Sequence, residues 1–159
     1  AVARFDRGEI EVRVVDVQEC ITADLALAEL TLVVLRAMGS GRWVSPYLQR
    51  AWSEDDLYPI FQQTVRDGGQ ATVSNRDYLL MFGLMKQDQM SVHKIWQHLF
   101  VELYGELSED CRRVVAHILE HGCLAQRMLR RIGRDPSPEA LNALVDALAA
   151  CLAQEELLP

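Results

Sequence analysis

Glu9, Glu11 and Arg13 alternate along the segment GEIEVRVVDV, so an extended backbone turns all three toward the same side. Two carboxylates and a guanidinium in line can hold a divalent cation beside an anionic substrate. The acids supply the hard oxygen ligands that Mg²⁺ prefers, and arginine offers a planar fork to a carboxylate or phosphate. By spacing alone the same pattern also describes the solvent face of a sheet, with ordinary ion pairs between strands. Other reactive groups are more scattered. His117 and His121 are one helical turn apart and Cys123 follows them, yet no further ligand stands at useful spacing. This cluster reads as a helix end, with His121 near the negative pole of the helix dipole. His93 and His98 are five apart, which does not bring them together on a helix. Neither a phosphate-binding G-x-x-x-x-G-K-[ST] loop nor a nucleophile elbow occurs.

The elements that must carry these groups follow from periodicity. Residues 9–17 alternate, with Ile10, Val12 and Val14 opposite the charged side, and predict one strand. Val2 to Phe5 can pair with it across an Asp6-Arg7-Gly8 turn. After Cys20 the period becomes helical: Thr22 is the expected cap, Asp24 suits the first turn, and Leu25, Leu27, Leu30, Leu32, Val33, Leu35 and Met38 predict a helix buried on nearly all sides.

Further helices are expected after Ser53, Asn75, Ser91, Ser108 and Ser137, the last with Pro138 at its first position. Leu57, Ile60, Phe61, Thr64 and Val65 form the expected inward stripe of the first of these. The helix after Ser108 is interrupted at Gly122 and closes at Gly133. Trp43, Trp52 and Trp96 are expected as core anchors. The reading is α+β and predominantly helical, with one or two strands followed by about six helices.

Composition narrows the partners. Half of the 159 residues are apolar and a quarter are charged, with a net charge of -7, so a surface built to grip phosphate backbones is not expected. Arg127, Arg130, Arg131 and Arg134 are the one basic cluster, and helical spacing reads them as a solvated helix face. The apolar run from Leu25 to Met38 is broken by Glu29 and Thr31, too short for a membrane span. No secretory signal pattern opens the chain, so a cytoplasmic home is expected. Cys20, Cys111, Cys123 and Cys151 are far apart and read as reduced thiols, three of them buried. A first residue other than Met, leading at once into a strand, suggests a fragment. A lone strand leaves backbone groups unpaired at both edges, so strands from elsewhere, or a second copy, are expected to complete it.

The segment GEIEVRVVDVQECITADLALAELTLVVLRAM resembles the strand and helix near the end of the catalytic region in the carboxylate–amine ligase branch of the glutamate–cysteine ligase family. There a G-x-[IL]-E-[VF]-R-V-x-D strand leads into a helix rich in alanine and leucine. RAW at 50–52, RDYLLMFG at 76–83, HILEHGCLAQRML at 117–129 and LAACLAQEELL near the end look like that family's helical C-terminus. The resemblance implies a glutamine synthetase-like antiparallel sheet. It also implies ATP and Mg²⁺ as cofactors, and an amino-acid carboxylate activated as an acyl phosphate for attack by an amine. It makes Glu11 the Mg²⁺ ligand and Arg13 the catalytic anion clamp.

On this reading residues 1–41 are the last strand and buried helix of the catalytic domain, residues 42–159 form a helical C-terminal region, and the two make one compact unit. The upstream strands with the other metal-binding acids are missing, so the chain alone is expected to be inactive and to bind neither cofactor tightly. The alternative is a helical interaction or dimerisation module, with a homo-oligomer formed through strand or helix pairing.

Overall fold

The computed structural model describes residues 2–12 and 14–159, which leaves Arg13 outside the described residues. Strands β1 (Val2–Arg4) and β2 (Glu9–Glu11) form an antiparallel hairpin in the register Arg4 opposite Glu9 and Val2 opposite Glu11. Gly8 takes φ 65° in the turn, and the Arg7 N–H donates to the Arg4 carbonyl at 3.0 Å. The chain thus supplies its own partner for one edge of β2. The strand expected over 9–17 is shorter than its alternation predicts, because a ladder extends only as far as its partner does. Val14, Val15 and Val17 lie beyond it with more than half of their surface exposed.

Helix α1 (Ile21–Gly39) begins two residues earlier than expected: Cys20 and not Thr22 occupies the cap position, and no side chain caps the helix there. Its inward face is Ala23, Ala26, Leu30, Val33, Val34 and Ala37, while Leu25, Leu32 and Leu35 are about half exposed or more. The expectation of burial on all sides is therefore corrected to a one-sided helix. Small residues on the inner face allow close approach to a neighbour, and the Cys111 thiol reaches across to donate to the Ala26 carbonyl at 3.3 Å.

Short α2 (Pro46–Gln49) was not anticipated, although Ser45 and Pro46 carry the signature of a helix start. Helix α3 (Glu54–Asp67) has a reciprocal capping box between Ser53 and Asp56. Its expected inward stripe is corrected: Leu57, Phe61 and Val65 stay exposed, and only Ile60 of these apolar residues packs against the core. A 3-10 turn at 68–70 leads to β3 (Thr72–Val73), which pairs antiparallel with β4 (Met90–Ser91) on the far side of α4 (Arg76–Leu80).

Helices α5 (Val92–Leu103) and α6 (Glu109–His121) complete the main body, in which α1 packs most extensively on α6. Their buried side chains, among them Leu99, Leu103, Cys111, Val114 and Val115, share one core with α1. Trp43 packs against this core, Trp52 is half-buried with its N–H on the Met81 sulfur, and Trp96 is corrected from a core anchor to a partly exposed residue, 39% open to solvent.

Helices α7 (Leu124–Ile132) and α8 (Pro138–Gln154) form a hairpin with a second, smaller core of Leu144, Cys151 and Leu158, flanked by Leu124, Met128 and Leu148. Among the described residues, then, eight α-helices and two two-stranded sheets make a predominantly helical protein. Among the described residues no helix is long and apolar enough to cross a membrane.

Candidate functional site

Glu11 sits on β2, with its carboxylate 3.6 Å from the Arg4 guanidinium, and Arg7 lies 3.5 Å from Glu9 in the same way. The first is an ion pair across the hairpin, and the second links the turn to the start of β2. Arg13, the expected clamp, lies outside the described residues. Mg²⁺ needs several hard oxygens, and no group of three or more metal-ligating side chains is gathered among the described residues. The hairpin by itself does not fit a Mg²⁺–ATP site, and any such site requires acids from other strands.

The structure gathers its charged and reactive groups elsewhere. Immediately before α1, Glu19 is buried, and its Oε1 accepts from the Arg127 Nη1 of α7 at 2.5 Å. The same guanidinium donates to the Leu158 carbonyl at 2.6 Å and, through Nε, to the Gly122 carbonyl at 3.0 Å. The Leu158 N–H donates in turn to Glu19 Oε1 at 3.2 Å, and His117 Nε2 lies 3.1 Å from the Leu158 carbonyl. One peptide residue is thus held at its N–H by a carboxylate and at its carbonyl by a guanidinium and an imidazole. Arg127 is 1% exposed. This corrects the solvated-face reading for that member of the basic cluster, whereas Arg130, Arg131 and Arg134 are exposed.

Burying a carboxylate raises its pKa, but at Glu19 the hydrogen bond from Arg127, backbone N–H donors and the guanidinium charge together hold it below its ordinary range. His117 is pushed down, chiefly by burial and further by the positive charge of Arg127 and by His121, whose ring centroid lies 4.6 Å away; the Leu158 carbonyl and Glu19 oppose the shift. The neutral imidazole is therefore the favoured form, donating its Nε2–H to the carbonyl. Cys111, buried between α1 and α6, has its thiol raised to about 11, first by desolvation and then by Glu29, so it is a poor nucleophile. All four cysteines are free, and Cys20, Cys111 and Cys151 are the buried ones.

No protein-family model, curated protein or solved structure matches this chain.

A second gathering of polar groups lines an open cleft of about 500 Å³, where His93, Glu120, His121, Gln126 and Arg130 meet. It brings His121 together with His93 from the start of α5, a pairing invisible to a spacing argument because it joins separate helices. The Arg130 guanidinium donates to the His121 carbonyl across the corner between α6 and α7. That corner is tight: Gly122 takes φ 88°, and a Cβ there would sit 2.5 Å from Gln126 Oε1, the atom that accepts from the Cys123 N–H. Neither gathering includes Glu11. The signal that could have exposed the first was present in the sequence: Arg127 lies three residues after Leu124 and one before Met128, on the apolar side of its helix.

Proposed function

We propose that this chain works as the C-terminal, mostly helical portion of an ATP-dependent carboxylate–amine ligase of the glutamate–cysteine ligase type. In the intact enzyme, Glu11 would ligate Mg²⁺ and Arg13 would clamp the anionic substrate or the phosphate. The reading draws on the E-V-R strand and the long resemblance that follows it. The observation that carries it is the uncovered ribbon of Ile10, Val12, Val14, Val15 and Val17, five aliphatic side chains 44–81% exposed beside a hairpin with an open edge. Such a ribbon loses favourable burial unless further strands or a packed face cover it. A larger antiparallel sheet does both. On this reading the protein is cytoplasmic, its substrates are an amino-acid carboxylate and an amine, and it requires neither nucleic acid nor a membrane.

The same ribbon favours a second reading, in which it pairs with another copy and the chain is an interaction module without chemistry. ADP release by the intact protein with glutamate, a panel of amines, ATP and Mg²⁺ separates the two. Under the ligase reading, turnover is seen with at least one amine and is abolished by Glu11→Ala or Arg13→Ala. Silence with every amine rejects the ligase, and substitutions that change only association support the module.

A further inference from the structure

Helix α8 has one extensive helix partner among the described residues, and that partner is α7. Its apolar contacts with Leu124, Met128 and Leu158 form a core separate from the one shared by α1, α5 and α6. What fastens this hairpin to the body is mainly polar. Glu155, at φ 54° in a left-handed conformation costly for any residue but glycine, turns the chain back. Its Oε2 accepts from the Thr22 N–H at 3.1 Å and from the Thr22 hydroxyl at 3.0 Å. Leu157 packs against the main core, and Leu158 is gripped by Glu19 and His117 of the body as well as by Arg127 of its own hairpin. Within this buried cluster Glu19 Oε2 and Arg127 Nη2 have no hydrogen-bond partner among the described residues. A fastening that pays desolvation for both ions and leaves two polar atoms unmatched returns little net stability compared with apolar packing.

We propose that α7, α8 and residues 155–159 open from the α1–α6 body as one unit while that body stays folded, with Glu19, Thr22 and His117 as the fixed half of a latch and Arg127, Glu155 and Leu158 as the moving half. The corner at Gly122 is the pivot. Opening breaks no covalent bond and bares Glu19 and His117 to solvent. The unit is drawn from the low-stability end of the molecule, where elements held by few apolar contacts exchange their amides first.

Native-state amide hydrogen exchange on the full chain tests this. The amides of α7, α8 and Leu158 should exchange at one common rate, at least about tenfold faster than the core amides of α1, α5 and α6. Val114→Ala weakens the body core only. It should therefore speed exchange in α1, α5 and α6 by about tenfold and leave α7, α8 and Leu158 unchanged. An equal rise in both sets would mean that the protein opens as a single unit and would overturn the proposal. If the variant does not fold, low urea on the unaltered protein gives the same answer. Exchange in α7–α8 should rise less steeply with urea than exchange in the body, since less surface is exposed. Equal slopes overturn the proposal.

Discussion

The two halves of α6 are held by opposite means. Toward its start, Cys111, Val114 and Val115 interdigitate with the small-residue face of α1, and every buried group there is apolar or hydrogen-bonded. Toward its end, His117 meets a charged cluster in which a carboxylate, a guanidinium and an imidazole converge on the backbone of one residue, Leu158. Apolar packing is tolerant and roughly proportional to area. A buried ion pair is close to neutral while whole, and costly once one partner is removed. The first contact makes the body stable, and the second makes the position of α7 and α8 depend on a handful of atoms.

The largest effect should come from breaking the charged contact on one side. Arg127→Met leaves Glu19 without its counter-ion and should weaken the closure of α7 and α8 by up to about 3–5 kcal/mol, followed by urea unfolding with amide exchange, while the body stays folded. Adding Glu19→Met should recover much of that loss, because the desolvation of both ions is relieved together. A double variant as unstable as the single one would show that hydrogen bonding to Leu158, and not charge burial, dominates the site.

Removing a cap from the body side should do less. Ser108 accepts from the Cys111 N–H at 3.2 Å, while its own N–H and hydroxyl donate to Glu29 at 2.6 Å each. Ser108→Ala should cost about 1 kcal/mol, read in the same unfolding experiment.

The smallest effect is a pH dependence confined to the latch. Because the folded protein depresses the His117 pKa, the unfolded chain binds the extra proton first. Stability should therefore fall as pH drops through the unfolded-state value of about 6.5, and the slope should end below the folded-state value. His117→Gln should flatten that part of the profile. A slope unchanged in His117→Gln would assign it to another group.

Local chemistry made most helix starts legible. Ser53, Asn75, Ser91, Ser108 and Ser137 each cap the helix expected after them, since a side-chain oxygen and an N–H three residues on settle the matter between themselves. The stops at Gly122 and Gly133 were equally local. Periodicity was less dependable. The α3 stripe predicts an inward face of which Ile60 alone among the apolar residues packs against the core, and the alternation over 9–17 predicts more strand than the Val2–Arg4 partner can pair. The candidate site divides in the same way. Glu11 and Arg13 stood out in the sequence by their shared face, but Arg127 was read as solvated because its partner Glu19 is 108 positions away.

The sequence alone determined where α3, α4, α5, α6 and α8 begin and where α6 and α7 end, because those outcomes depend on neighbours within a turn. Tertiary structure decided which faces found cover, and whether one arginine among four met water or a carboxylate. Burial is a property of pairs of surfaces, and the second surface of each pair comes from a distant stretch of chain.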